Sequence, residues 1–201
     1  MVAPRRYGSG KPSGACGSVR IIGGQLRGSR LPVPVLAGLR PSADRVRETL
    51  FNWLQHDLHG ARVLDLFAGS GALGFEAASR GAAAVVLVER HPQLAAALRE
   101  SAVRLGATAI EVRAADALAP GTLHATERFD GAFVDPPFAS ALWPQALEVV
   151  LPRLAPRAWL YLEGPPARLP DLPAPWTRHR EGHTREVHYV LYRRDESGAG
   201  G

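Results

Sequence analysis

The sequence predicts an α/β domain: a mostly parallel, Rossmann-like sheet with helices on both faces, preceded by a small N-terminal β-hairpin and helix. Three observations carry that expectation. From Arg62 onward, short apolar runs alternate with segments of helical periodicity, and such alternation implies a parallel sheet covered on both sides. The first of these strands runs into a glycine-rich turn, VLDLFAGSGALG, before a helix; doubly wound sheets bind ligands at such strand ends. The last apolar segment, REVHYVLYRR, shows the period-2 alternation of a half-buried strand.

Taken in order, residues 1 to 18 are Gly, Pro, Ser and charge, with little to bury, and are expected to form a disordered basic tail. VRIIGGQLRGSRLPVP offers two short β-rich pieces around Gly23-Gly24 and Gly28, a small hairpin with basic edges. In LRPSADRVRETLFNWLQH, Val46, Leu50, Trp53 and Leu54 fall on one helical face after Pro41 and Ser42. Hairpin and helix together span 19–58. The main domain, 59–194, then reads ARVLDLF (strand), GSGALGFEAASRG (helix), AAVVLVE (strand) and HPQLAAALRESAVRLGA, a helix opened by Pro92 and closed by Gly106. AIEVRAAD, FDGAFVD and RAWLYLE are further strands, with LWPQALEVVLPRL a helix before the last of them. Residues 195–201 are expected to fray.

At 201 residues and 46% hydrophobic, the chain suits one domain with a substantial core. No apolar run approaches a membrane span, and the N-terminus lacks the apolar stretch of a secretory signal. The single cysteine, Cys16, excludes an internal disulfide framework and a cysteine-based zinc site, and fits a reducing cytoplasm. No His, Cys or Asp grouping has metal-ligand spacing. The net charge is +5 and the pI about 10.1. Before Glu48 the chain carries Arg5, Arg6, Lys11, Arg20, Arg27, Arg30, Arg40, Arg45 and Arg47 against the single acid Asp44. So local and one-signed a cluster points to nucleic acid, although a solvated arginine-rich surface is the plainer reading.

Asp65 ends the first strand of the main domain, and Gly69 and Gly71 follow in the turn, where glycine lets backbone approach a ligand closely. An ordinary strand-to-helix turn and a dinucleotide fold are the rival readings, and GSGALG at 69–74 does match G-x-G-x-x-G. However, an acid just before the glycines repels a pyrophosphate, whereas it suits a cationic, phosphate-free ligand such as S-adenosylmethionine. Glu89 ends the second strand, placed for the ribose hydroxyls, and Asp116 ends the third, placed for the adenine amino group.

The fourth strand stops in Asp135-Pro136-Pro137-Phe138. Two prolines cannot continue a central ladder, since each lacks an N–H and has a fixed φ. What remains at the strand tip is a carboxylate, a rigid carbonyl and an aromatic ring. Two acceptors held on the protons of an exocyclic amine favour a pyramidal nitrogen and stabilise the charge that develops on methyl transfer, while Phe138 stacks on the base. Asp-Pro-Pro as a mere turn is the rival. Methylation at carbon would require a nearby nucleophilic cysteine; Cys16 is badly placed, which favours transfer to nitrogen.

RIIGGQLRGSRLPVP, LRPSADRVRETLFNWL, LDLFAGSGALGFEAASRGA and FVDPPF together resemble the RsmD family, from about Val19 to Arg194. The glycine loop and Asp-Pro-Pro-Phe occur in many amino-methyltransferases; the R-P-x-x-D-R-V-R-E-T-L-F-N segment is more specific. The resemblance implies the seven-stranded class I methyltransferase sheet, its last strand antiparallel, with REVHYVLYRR in that place. It implies S-adenosylmethionine bound by Asp65, Ala68, Gly69, Gly71, Glu89 and Asp116 with Arg45 and Thr49, and catalysis by Asp135, Pro136, Pro137 and Phe138. The substrate implied is N2 of one guanine in 16S ribosomal RNA, reached by a cytoplasmic monomer. Arg20, Arg27, Arg30, Arg40 and Arg47 are the expected RNA contacts, and the target base is expected in a loop or flipped out. N6-adenine methylation of DNA or RNA, protein glutamine methylation, and a non-catalytic RNA-binding protein on the same fold remain as alternatives.

Overall fold

The computed structural model describes residues 17–34, 44–137, 142–166 and 169–194. The expected tails (all but residues 17 and 18), Arg40 and Phe138 lie outside them. A two-stranded antiparallel ribbon comes first: β1 (Gly17–Arg20) pairs with β2 (Arg30–Val33), Val19 opposite Leu31. Helix α1 (Asp44–Trp53) follows. The main domain then alternates β3 (Arg62–Asp65), α2 (Ala72–Ser79), β4 (Ala84–Glu89), α3 (Pro92–Leu105), β5 (Ile110–Ala114), β6 (Phe129–Val134), α4 (Trp143–Val150) and β7 (Leu154–Gly164). It closes with β8 (Trp176–His183) and β9 (His188–Arg194).

The seven strands lie in the order β5-β4-β3-β6-β7-β9-β8. Neighbours are parallel except at β9, which is antiparallel to β7 and to β8. The winding reverses between β3 and β6, and open α/β sheets bind ligands at the carboxyl ends of the strands at such a point. Asp65 lies opposite Phe133 in the register, which brings the tip of β3 beside the Asp135 turn.

Side chains alternate between the two faces with the period of a strand. Val63, Val85, Leu87, Phe133, Tyr161 and Leu191 belong to one core, packed with Leu50, Phe51 and Leu54 of the N-terminal segment and Phe75 and Leu98 of α2 and α3. Leu64, Val86, Val88, Val134, Leu160, Leu162 and Val190 form the other, with Ala146 and Val150 of α4. The sheet is therefore apolar on both sides, as parallel sheets require.

Three elements differ from the expectation. The α1 face includes Phe51, fully buried with its ring 5.9 Å from Phe133, while Trp53 is only half-buried. The helix expected over 142–154 ends at Val150 and tightens into a 3-10 turn, Leu151–Arg153. Pro152 has no N–H to give the carbonyl four residues back, and β7 starts at once at Leu154. Finally, the residue pattern named six strands in the main domain; the one it left out, β8, is an edge strand exposed along most of its length.

Candidate active site

The glycine-rich loop after β3 is assembled by backbone donors and two acids. Gly71 closes the turn at φ 76°, a conformation that glycine adopts without strain. The Gly71 N–H donates to the Ala68 carbonyl at 2.7 Å, and the Ala68 N–H to the Val88 carbonyl at 2.9 Å. One Glu89 oxygen accepts from the Gly69 N–H at 2.8 Å and the other from the His91 N–H at 2.7 Å. Each carboxylate oxygen has a second lone pair, so this bracing leaves acceptor capacity for a diol. Asp65 accepts the Gly74 N–H at 3.0 Å. A Cβ on Gly74 would stand 2.1 Å from a Leu87 methyl, so the third glycine of the motif serves close packing of helix on sheet. Asp116 is exposed, two residues beyond β5, and accepts the Leu118 N–H at 2.9 Å.

Asp65 is 3% exposed. Burial pushes its carboxyl up from 3.8 to about 7, the Gly74 N–H pulls the other way, and Glu89 adds to the rise. A buried acid that resists ionisation is relieved by a cation beside it. A sulfonium nucleoside, cationic and without phosphate, fits this donor and acceptor set. A pyrophosphate does not.

Asp135 and Pro136 follow β6 directly. Asp135 is half-buried, Pro136 buried and Pro137 exposed. Burial first, then Glu163 and Asp65, hold the Asp135 carboxyl well above the ordinary carboxylate range. Glu163 is 3% exposed and its carboxylate accepts the Tyr161 hydroxyl at 2.6 Å. Rings of Phe51, Phe133, Tyr161, Tyr189 and Trp53 run in succession beneath this corner, with centroids 5.5 to 6.4 Å apart. They fasten α1 to the sheet face on which the acids stand. Arg45 is exposed on α1, and one turn later the half-buried Thr49 donates its hydroxyl to the Arg45 carbonyl at 2.9 Å. Among the described residues, no group of three or more His, Cys, Asp or Glu side chains converges to hold a metal ion.

The basic hairpin is fastened to the main domain by a buried carboxylate. Glu76, fully buried in α2, accepts the Ile22 N–H at 2.7 Å and the Gly23 N–H at 2.8 Å, and pairs with Arg80 Nε at 2.8 Å. Arg80 in turn lies over the Phe51 ring, 5.1 Å from its centroid. Ser79 adds two bonds, accepting the Leu26 N–H at 2.9 Å and donating to the Gly23 carbonyl at 2.5 Å. From the other side, Arg104 of α3 reaches the Arg30 carbonyl at 2.7 Å. Arg20, Arg27 and Arg30 stay exposed on this fixed platform.

Arg47 corrects the sequence reading, which set it among the RNA contacts. It is fully buried, bonded to the Arg20 carbonyl at 3.0 Å and to Asp44 at 2.7 Å, with Glu76 4.0 Å away. Nη2 alone makes both bonds, which tie α1 to the hairpin, and the side chain has no exposed surface to offer a phosphate. Glu76 and Ser79 escaped the sequence reading because their partners are backbone groups more than 50 residues away. Glu163 had a signal: RAWLYLE ends in an acid as AAVVLVE does, and the strand-tip rule applied once more selects it.

Residues 19–193 match the family described as Conserved hypothetical protein 95. The chain is 42% identical over 205 residues to the Ribosomal RNA small subunit methyltransferase D of Escherichia coli strain K12, covering 98% of each. It is 39% identical to the protein of that name from Haemophilus influenzae, covering 89% of this chain and 95% of the other. Among solved structures, yhhF from Escherichia coli superimposes with a TM-score of 0.78 at 41% identity, over 89% of this chain and 99% of that one. The Thermus thermophilus 16S rRNA N2 methyltransferase RsmC, in complex with AdoMet and guanosine, gives a TM-score of 0.64 at 25% identity, over 91% of this chain and 51% of that one. This chain belongs to the RsmD family.

Proposed function

We propose that this protein transfers the methyl group of S-adenosylmethionine to the exocyclic N2 of a guanine in small-subunit, 16S ribosomal RNA. The observation that carries the reading is the position of Asp135 and Pro136, at the switch point of the sheet and beside the tip that bears Asp65. When bound, the cofactor supplies an electrophilic methyl on a sulfonium. All else is the work of the chain. Glu89 and Asp116 orient the nucleoside through its ribose and adenine, the Gly69–Gly71 turn admits it to the backbone, and Asp65 offsets its positive charge.

The amino group of guanine is a weak nucleophile because its lone pair is delocalised into the ring. The Asp135 carboxylate and the Pro136 carbonyl accept its two N–H bonds, turn the lone pair toward the methyl, and are already in position when charge develops. As the N–C bond forms, the bond from the methyl to sulfur breaks to leave a neutral thioether, and one N–H proton must leave the nitrogen. Asp135 already holds that proton in a hydrogen bond, and its raised proton affinity suits it to take the proton. Phe138, which follows the motif in sequence, is assigned to stacking on the base.

Residues 19–58 serve as the RNA platform and close the active site over residues 59–194. Arg20, Arg27, Arg30 and Arg40 engage phosphates and set register without reading sequence. No helix among the described residues is long and apolar enough to cross a membrane, and we place the protein in the cytoplasm, acting as a monomer on ribosomal RNA or an assembling subunit. The test is transfer of tritiated methyl to small-subunit RNA, followed by nucleoside analysis. N2-methylguanosine is expected; N6-methyladenosine, or no transfer to naked RNA or subunits, contradicts the reading.

A further inference from the structure

The register of the sheet sets a row of acids on one face. Leu87, Val63, Phe133 and Tyr161 belong to the same core layer, and two residues further along each chain stand Glu89, Asp65, Asp135 and Glu163. Successive side chains alternate, so residues two apart share a face. The strands that carry them are neighbours, in the order β4, β3, β6 and β7. The first two acids lie on the side assigned to the cofactor, and Asp135 holds the amine. Beyond Asp135, on the side away from the cofactor, the next strand tip is that of β7. Val134 pairs with Leu162, so Asp135 and Glu163 are the next residues along two adjacent strands.

In-line transfer needs the base on the side of Asp135 opposite the methyl donor. Guanine presents N1–H directly beside its N2 amino group, so its donor edge extends one group past the two hydrogens that Asp135 and Pro136 accept. A third acceptor is therefore required next to Asp135. We infer that Glu163 is a specificity-determining residue that accepts the guanine N1–H, completing a three-acceptor edge that begins with Asp135 and Pro136. The inference rests on the guanine-N2 reading of the site. The Tyr161 hydroxyl, 2.6 Å from one oxygen of Glu163, fixes that carboxylate, and a carboxylate has about four acceptor positions in all. The same group rejects adenine, whose N1 offers a lone pair where guanine offers a proton.

The experiment compares guanosine with 2-aminopurine riboside, which keeps the 2-amino group, has a lone pair in place of the N1–H and lacks the 6-oxo group; Glu163→Gln separates the two differences, because only the one at N1 depends on Glu163. Each is used as a competitor of methyl transfer to small-subunit RNA and titrated by NMR against the full chain saturated with S-adenosylhomocysteine. Wild-type protein is expected to prefer guanosine by at least about 10-fold, the worth of a hydrogen bond to a charged group. In Glu163→Gln, which keeps an oxygen for the Tyr161 hydroxyl, the two nucleosides should converge to within about 3-fold. The affinity for S-adenosylhomocysteine should stay within about 3-fold. Equal binding of both nucleosides to the wild type, or an unchanged preference in Glu163→Gln, overturns the inference. Failure of the underlying reading shows separately, as a wild-type product other than N2-methylguanosine.

Discussion

Asp65 is the group whose electrostatics are most exposed to test. Its carboxyl titrates at about 7 in the fold against 3.8 for the ordinary group. Such a group opposes folding once the unfolded chain has ionised, because the folded state must keep the proton or charge a buried acid. The opposing term is about 1.36 kcal/mol per pH unit, hence about 1.6 kcal/mol at pH 5 and about 4 kcal/mol at pH 8, where it levels off. Asp65→Asn keeps an acceptor for the Gly74 N–H and removes the titration. Its stability advantage over the wild type should therefore widen by about 2.5 kcal/mol between pH 5 and pH 8, a growth in the Tm gap of about 5–10 °C for a chain of this length. Melts followed by circular dichroism without cofactor give that gap directly. Cofactor affinity should move the opposite way. A cation selects ionised Asp65, so binding by the wild type should strengthen about 10-fold from pH 6 to pH 8, while Asp65→Asn should bind weakly with no such slope. A pH-independent Tm gap, or wild-type binding that is flat across the same range, refutes the argument.

Asp135→Ala should lower methyl transfer by at least about 100-fold while S-adenosylmethionine binding measured by calorimetry stays within a few-fold of wild type. Glu76→Gln leaves half-buried Arg80 without its carboxylate and fully buried Arg47 with Asp44 alone, and should cost about 3 kcal/mol in denaturant unfolding. Replacing Arg20, Arg27 and Arg30 together by Ala should reduce the slope of log affinity for small-subunit RNA against log salt by about 2, with cofactor binding unchanged. A slope equal to wild type would remove the platform role.

What could be read from the sequence depended on whether a residue's role shows in its neighbours along the chain. Asp65, Glu89 and Asp135 close apolar runs, so position alone marks them as strand-tip acids. Strand β8 carries Thr177, Arg178, His179 and Arg180 in succession, all exposed. As an edge strand it is held by β9 alone and needs no apolar signature. Arg47 looked like surface because it stands among charged residues at the start of α1. Yet the helix places it on the inner side, where the Arg20 carbonyl and Asp44 await it. Glu76 sits in the apolar helix ALGFEAAS, and nothing near it in sequence reveals that Ile22 and Gly23 will present their N–H groups to it. Local pattern reveals six of the seven strands and the acids at their tips; the contacts that attach the N-terminal hairpin join distant segments and leave no local trace.

The most direct measurement is a crystal structure of the full chain with S-adenosylhomocysteine and guanosine. The sulfur should lie near the tips of β3 and β6, with guanine N2 within about 3 Å of both the Asp135 carboxylate and the Pro136 carbonyl oxygen. A nucleoside lodged away from those strand tips, or an acceptor pair turned from the sulfur, would contradict the proposed mechanism.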